Sequence, residues 1–186
     1  MMLTNILLFL LDVFVQGYAA VLLLRFVLQW LRAPVRNPVG EAVMSLTNFI
    51  VLPARRYIPS AWQLDSASLL LALLFEVGYL AGLLLLQGYN FTVPGLLVWS
   101  LVKLLIMCVY FLIGALVLQA VLSWVSPHTP IAPLLEAMTQ RFLGPLRQFI
   151  PLLGNIDLSP LILLVICQLI LLAPLALLEA WALHLM

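Results

Sequence analysis

Two short segments of the chain combine proline, arginine and aspartate in the same order. The first contains Arg55, Arg56 and, after a short gap, Asp65, and the second contains Arg147 and Asp157. In each segment prolines bracket the first arginine, so a rigid turn presents its guanidinium group. That group can reach a lipid phosphate, an acidic partner or the nearby aspartate. These five residues therefore predict a site that binds lipid or a partner, and we favour a lipid headgroup anchor over a dedicated ligand site.

The two aspartates have a second interpretation as helix caps. Asp65 and Asp157 directly precede the serine-containing starts of apolar runs, and Ser159 is followed by a proline, as in an N-cap before the first helical position. Capping accounts for both aspartates, and we favour it over pairing with Arg55 and Arg147.

Charged and amide side chains also occur inside the long apolar runs. An unpaired charge in a membrane costs several kcal/mol, so each of these residues needs a partner. Depth counting along the helices places Lys103 near the level of Asp12 and Glu179, so the lysine can neutralise one or both carboxylates. By the same counting, Arg25 lies within reach of Glu76. The predicted intramembrane polar network consists of Asp12, Arg25, Glu76, Lys103, Gln119, Gln168 and Glu179.

No nucleophile with a neighbouring base, phosphate-binding loop or metal-ligand cluster is recognisable, which argues against an enzyme. Cys108 and Cys167 lie in apolar runs without ligand spacing and are interpreted as packing side chains. His128 and His184 are predicted on opposite sides of the membrane, so they cannot jointly hold haem or a metal. We therefore expect no cofactor. The net charge of +1 and the lack of a polybasic run predict no nucleic-acid partner.

The composition indicates that lipid surrounds most of these residues. The chain of 186 residues is 66% hydrophobic and 8% charged, whereas soluble domains carry about 25% charged residues. Four apolar runs are long enough to cross a bilayer, and none alternates with a period of two as barrel strands would. Backbone N–H and C=O groups in lipid must form their hydrogen bonds within their own segment, so these runs predict helices. We predict an all-α membrane protein with transmembrane helices near residues 5–30, 66–87, 96–124 and 158–184.

The order of these features occurs twice. Trp30 and Trp124 each open a proline-containing stretch that leads through an amphipathic run to the arginine motif. This predicts two parallel repeats, residues 1–95 and 96–186, related by a pseudo-twofold axis along the membrane normal.

Aligning the two halves also matches polar residues inside the spans. Arg25 matches Gln119, and Glu76 matches Gln168. The matches predict a polar seam shared by both halves, which fixes how the helices pack. The alternative is an ion or proton pathway through Glu76.

Each repeat is predicted to carry an interfacial amphipathic helix in its connector. At roughly a dozen residues, each run is too short to span a membrane. Pro53 and Pro145 lack a backbone donor and are expected to end these helices. The apolar positions are Val39, Val43, Leu46 and Ile50 in the first copy and Ile131, Leu134, Leu135, Met138 and Phe142 in the second.

The arginines outside the spans predict the orientation of the protein. All of them lie in the two connectors, and the other loops and tails carry no lysine or arginine. The positive-inside rule therefore places both connectors in the cytoplasm and both termini outside, in a bacterial inner membrane. The connector arginines are Arg32, Arg36, Arg55, Arg56, Arg141 and Arg147.

The doubled motif Pro-x-Arg-x-x-Ile-Pro, followed closely by Ile-Asp-x-Ser-Pro, resembles the YggT (YlmG) family of small membrane proteins. The resemblance covers essentially the whole chain. The second copy, residues 144–160, matches the motif more closely; in the first copy Leu52 replaces its glycine, and Ala67 and Ser68 replace its Ser-Pro. The resemblance implies no catalytic residues. It implies roles in osmotic or potassium tolerance and in envelope or division functions in bacteria, and in haem attachment to cytochrome b6 in plastids.

The leading functional hypothesis is a non-enzymatic inner-membrane protein. Its connectors would contact the lipid bilayer and a membrane-protein partner or further copies of the chain, in support of envelope or membrane-complex assembly or osmotic stress tolerance. The alternative is a component of potassium or proton transport that uses Arg25 and Glu76. A weaker alternative is a haem or cytochrome assembly factor, by analogy with the plastid relatives.

Overall fold

The computed structural model describes residues 2–58, 65–126, 129–149 and 158–185, and within these ranges it contains helices and no strands. Two π-helical turns, Leu11–Gln16 and Leu171–Leu175, join α1 to α2 and α7 to α8 without interrupting the helical path. The helices are α1 (Met2–Leu10), α2 (Gly17–Trp30), α3 (Pro38–Ala54), α4 (Ser66–Gln87), α5 (Val93–Val125), α6 (Ala132–Phe149), α7 (Ser159–Ile170) and α8 (Ala176–His184).

Four stretches of helix are long and apolar enough to cross a membrane. In chain order these spans are Met2–Trp30, Ser66–Gln87, Val93–Ser123 and Ser159–His184. Their number and positions confirm the predicted all-helical class and the four apolar spans. The chain is therefore a multi-pass membrane protein, and α3 and α6 are the helices of its two connectors.

The bundle has two distinguishable ends. At one end, the Thr92 hydroxyl before α5 donates a hydrogen bond of 2.6 Å to the carbonyl oxygen of Leu185 after α8. At the other end, the guanidinium carbon of Arg141 in α6 lies 4.8 Å from the ring centre of Trp30, the last residue of the first span. We call these the termini end and the connector end.

The central helix of the bundle is α5, which packs against α4, α6 and α8. Near the connector end, one buried cluster joins both connectors to the spans. At the termini end, Leu80, Trp99 and Ala182 form a second cluster. Members of the first cluster include Leu22, Leu28, Val51, Ala67, Leu104, Leu134 and Met138.

Three residues, Asn37, Pro38 and Gly40, fix the start of α3. The buried Asn37 side chain caps the helix by accepting a 2.9 Å hydrogen bond from the Gly40 amide, and Pro38 occupies the first helical position. Glycine is required at position 40 because a β-carbon there would collide with the backbone of Val35. The connector therefore enters α3 in one defined direction.

The expectation that proline ends both connector helices is wrong for Pro145. Helix α3 ends at Ala54, one residue after Pro53, but α6 continues through Pro145 to Phe149. The missing proline amide would have bonded to the carbonyl of Arg141. Both residues are exposed, so solvent can satisfy that carbonyl and the helix can continue.

Candidate functional site

Asp65 is the centre of a buried charged cluster at the connector end. It lies directly before α4 and is 3% exposed. Arg55, which follows α3, donates from Nε to Oδ1 at 3.1 Å and from Nη2 to Oδ2 at 2.7 Å. Arg25 of α2 donates from Nε to Oδ2 at 3.2 Å, and the Ser68 hydroxyl donates to the same oxygen at 2.6 Å. We call this the Arg25–Asp65–Arg55 cluster.

Arg25 is 2% exposed and reaches the connector helix as well as Asp65. Its Nη1 donates to Thr47 Oγ1 at 2.7 Å and to Asn48 Oδ1 at 2.8 Å, both in α3. A buried guanidinium is tolerated only where an opposite charge and hydrogen bonds offset its desolvation. The cluster supplies both, so it ties the first span, the connector helix and the second span together.

The electrostatics of the cluster favour the charged forms of Asp65 and Arg55. Burial alone would raise the pKa of the Asp65 carboxyl, but hydrogen bonds from Arg55 and Ser68 and the charges of Arg55 and Arg25 outweigh it and hold this pKa below its ordinary value. The hydrogen bond to Asp65 raises the pKa of the Arg55 guanidinium despite partial burial. Two guanidinium groups therefore face one carboxylate, and the cluster carries excess positive charge.

Two interpretations of these residues from the sequence are corrected by the geometry. The Asp65 side chain accepts no hydrogen bond from the backbone of α4, so its role is ion pairing with Arg55 and Arg25 and not capping. Arg25 binds Asp65 and not Glu76. The physical reason is that α3 packs beside α2 and brings further acceptors to the guanidinium group, which favours the connector end.

The corresponding positions of the second half contain a neutral contact. Gln119, which matches Arg25, accepts a 2.8 Å hydrogen bond from the hydroxyl of Thr139, which matches Thr47. Arg147 is exposed near the end of α6. Asp157 lies outside the described residues, so the structure does not place its side chain relative to Arg147.

The exposed side of the first connector combines basic and apolar groups. The side chain of Arg55 is 39% exposed although it is paired, and Arg56 and Tyr57 are exposed beside it. The predicted apolar face of α3 is split, because Val43 is buried in the bundle whereas Val39 and Leu46 point outward. The outward apolar side chains of α3 are Val39, Leu46, Phe49 and Leu52.

Helix α6 presents the opposite character to its surroundings. Leu134, Leu135 and Met138 of its predicted apolar face are buried against the bundle. Its exposed side is polar and includes Glu136, Gln140, Arg141, Arg147 and Gln148. The two connector helices therefore differ in the surface that they offer to lipid or water.

Within the spans, the structure brings some residues of the predicted polar network together. Lys103 Nζ lies 2.6 Å from Glu179 Oε1, the pairing that their depths predict, and the indole of Trp99 donates to the same oxygen at 3.1 Å. Asp12 instead accepts a 3.2 Å hydrogen bond from the Tyr79 hydroxyl.

The remaining residues do not form one shared polar seam. Glu76 is fully buried in α4, and neither of its carboxylate oxygens has a hydrogen-bond partner. Gln168, at the matched position of α7, is exposed on the surface of the bundle. The predicted seam is therefore wrong at this pair, because α7 turns that position outward.

Sequence reasoning missed several residues that complete these contacts. Thr47, Asn48 and Ser68 complete the Arg25–Asp65–Arg55 cluster, and Tyr79 and Trp99 bind the intramembrane carboxylates. A threonine recurring at the matched positions of both connector helices was an available signal for the first group. Among the described residues, no group of three or more His, Cys, Asp or Glu side chains could hold a metal ion.

The chain is similar to proteins from several bacteria. A family model described as CCB3/YggT matches residues 4–86 and 98–178. The uncharacterised protein YggT of Escherichia coli K12 is 34% identical over 167 residues, which cover 89% of this chain and 87% of the relative. An uncharacterised protein of Pseudomonas aeruginosa is 34% identical over 148 residues, covering 77% and 75% of the two chains. No solved structure gives a significant match.

Proposed function

The chain belongs to the CCB3/YggT family, and we propose that it is a non-enzymatic protein of the bacterial inner membrane. In this proposal its cytoplasmic connectors support the assembly of envelope or membrane complexes, or tolerance of osmotic stress. The observation that carries the proposal is the Arg25–Asp65–Arg55 cluster, which holds the first connector in a fixed position on the bundle.

The charge of the connector favours an anionic ligand. Asp65 neutralises only one of the two arginines in the cluster, and Arg55 remains partly exposed next to Arg56. Excess positive charge beside a cytoplasmic membrane surface attracts anionic lipid headgroups. The first connector is therefore proposed to bind lipid phosphate, with Arg147 of the second connector as a further contact.

The outward face of α3 supports the same placement. Phe49 is 68% exposed and Leu46 is 54% exposed on a helix too short to span a membrane. Exposed apolar side chains on an interfacial helix are stabilised when they enter the boundary between headgroups and acyl chains. Lipid contact through α3 leaves Arg56 and Tyr57 at the membrane surface, where a membrane-protein partner can also reach them.

Complementation of a strain that lacks the gene tests this role. The variant Arg56→Ala with Tyr57→Ala removes two exposed side chains outside the Arg25–Asp65–Arg55 cluster. We expect it to insert in normal amounts but to lose growth at high osmolarity. Asn90→Ala, in the exposed loop at the termini end, is the matched control and should complement fully. Full growth of the double variant at normal protein levels would refute the role of the connector.

A second candidate function is a component of ion transport, and one observation favours it. Glu76 places a carboxyl group without a hydrogen-bond partner in the middle of the second span. Such intramembrane groups often mark ion or proton routes. Liposomes containing the protein should then pass potassium or protons, and Glu76→Gln should abolish the flux. Wild-type liposomes no more permeable than empty ones would exclude this candidate.

A further inference from the structure

Glu76 occupies an unusual position for a carboxyl group. It lies near the middle of α4, its exposed fraction is 0%, and both side-chain oxygens are buried without a hydrogen-bond partner. An ionised carboxylate in this place would be an unpaired buried charge, which is strongly unfavourable. The neutral acid avoids that penalty.

The cations on the neighbouring spans are already engaged. Arg25 of α2 binds Asp65 at the connector end, and Lys103 of α5 forms its 2.6 Å ion pair with Glu179 of α8. Lys103 also attracts Glu76 electrostatically, but its ammonium group is bonded to the other carboxylate. The spans that pack against α4 therefore offer Glu76 no cation of its own among the described residues.

Further polar side chains lie between Glu76 and the termini end, although Glu76 itself makes no hydrogen bond with them. Tyr79 lies one helical turn from Glu76 on α4 and donates a 3.2 Å hydrogen bond to Asp12. Asp12 lies in the π turn Leu11–Gln16 and is exposed at the surface of the bundle. Single π turns inside helices are frequent at functional sites.

An open cleft lies closer to the termini end than Asp12. It has a volume of about 520 Å³ and lies between α1 and the end of α4, where Leu8 stands one helical turn from Asp12. Polar side chains line much of the cleft, so water can enter it. Its lining residues are Thr4, Asn5, Leu8, Leu86, Gln87 and Tyr89.

We propose that Glu76 is a proton-binding site, protonated at neutral pH, that exchanges its proton with water at the termini end through Tyr79 and Asp12. Glu76 makes no hydrogen bond in this structure, so release requires its side chain to rotate toward the Tyr79 hydroxyl. The O–H bond of Glu76 then breaks and its proton passes to the hydroxyl oxygen. The tyrosine proton moves to Asp12 and then to water, which leaves Glu76 as a carboxylate. The ligand is a proton alone, so no other reactant is needed. This inference deepens the ion-transport candidate, but the site does not require net transport.

Infrared spectroscopy of the full chain in liposomes at pH 7 tests the site. An exposed glutamic acid is ionised at this pH, so a carbonyl band of a protonated acid that shifts in D2O is expected only from Glu76. The band should vanish in Glu76→Gln and persist in Glu41→Gln, a matched change of an exposed glutamate. Glu76→Asp should move the band without removing it, which secures the assignment if Glu76→Gln does not fold. Wild-type protein without the band would overturn the proposal.

The route is tested by the rate at which the band shifts after transfer into D2O. Tyr79→Phe and Asp12→Asn should each slow the shift at least tenfold, whereas Gln87→Ala, on the wall of the cleft, should not. An unchanged rate in Tyr79→Phe and Asp12→Asn would overturn the route. If the liposomes show the Glu76 carbonyl band but no proton flux, the transport candidate is excluded and the proton-binding site is still supported.

Discussion

The burial of Arg25 depends on a single carboxylate. Asp65→Asn leaves the guanidinium in place without its opposite charge, and breaking a buried pair in this way costs about 3–5 kcal/mol. Arg25→Gln should cost less, about 1–3 kcal/mol, because Asp65 keeps Arg55 and Ser68. A glutamine can also bond to Thr47, as Gln119 bonds to Thr139. Reversible unfolding in mixed micelles measures both changes.

The double variant completes the test of this pair. Once Arg25→Gln has removed the buried charge, Asp65→Asn should cost less than it does alone, with a coupling free energy of about 0.5–3 kcal/mol. Glu41→Gln, an exposed change in α3, is the control and should stay within about 0.5 kcal/mol of wild type. Strictly additive effects would show that the two side chains do not stabilise each other.

The pKa of Asp65 predicts how stability depends on pH. Its pKa in the folded protein lies below the ordinary aspartate value of about 3.9. The stability that its ionised form contributes is therefore fully present above about pH 4 and is lost as the pH falls through the folded pKa. The difference in thermal unfolding temperature between wild type and Asp65→Asn should be constant from pH 7 to about 5 and should narrow below about 4. Narrowing near pH 6 would contradict this assignment.

The sequence predicted the members of the site better than their pairings. Arg55 and Asp65 stood out from their motif, and depth counting placed Lys103 level with Glu179. Depth counting placed Arg25 within reach of Glu76 because it considers only the level of each residue along its own span. Helix α3 packs beside α2 and brings Thr47 and Asn48 to Arg25. The periodicity of apolar residues in the sequence does not predict which helices pack together.

The two connector helices differ in what they present outward. Helix α3 exposes Leu46 and Phe49, whereas α6 exposes Glu136 and Gln140. Both helices lie at the same end of the bundle, so the difference in their exposed side chains comes from their sequences and not from their positions along the bundle axis. We infer that α3 lies deeper in the lipid interface than α6.

Spin labels measure this difference directly. In a background with Cys108→Ala and Cys167→Ala, nitroxides are attached at Phe49→Cys and at Gln140→Cys. The label at position 49 should be more accessible to oxygen, which partitions into lipid, and the label at position 140 to a water-soluble nickel chelate. Equal accessibility ratios at the two positions would contradict the inferred depths.

The connector helices also show why proline is an incomplete stop signal. Pro53 is the next-to-last residue of α3, whereas α6 continues for about one more turn after Pro145. What differs is the packing beyond the proline, since Leu146, which follows Pro145, packs against the cluster that contains Leu116 and Leu143. Tertiary contacts of this kind override local propensity.

For the whole molecule, the distribution of arginine predicts that both connectors face the cytoplasm. Arg56→Cys and Asn90→Cys, each in the cysteine-free background, place a thiol at the connector end and at the termini end. A membrane-impermeant reagent should label position 90 in spheroplasts and position 56 only after permeabilisation. The reverse pattern would invert the topology, and labelling of both positions would contradict the four-span arrangement.

The spans follow from composition and length, and the second span begins and ends where the sequence predicts. The arrangement of helices around α5 does not follow in this way, because all four spans are apolar on most sides. In lipid, close packing and a few polar contacts determine which helices pack against each other. Contacts such as Thr92 with Leu185 or Arg141 with Trp30 join distant parts of the chain.

The π turns in the first and last spans have a consequence for how this chain can vary. A π turn contains one residue more than an α-helical turn. Deletion of one residue there would therefore restore an ordinary α-helix. The outer segment, Met2–Leu10 or Ala176–His184, would rotate by about 100° while the rest of the bundle kept its register. Insertions and deletions in evolution can therefore change which side chains the termini end exposes, without altering the contacts of Arg25.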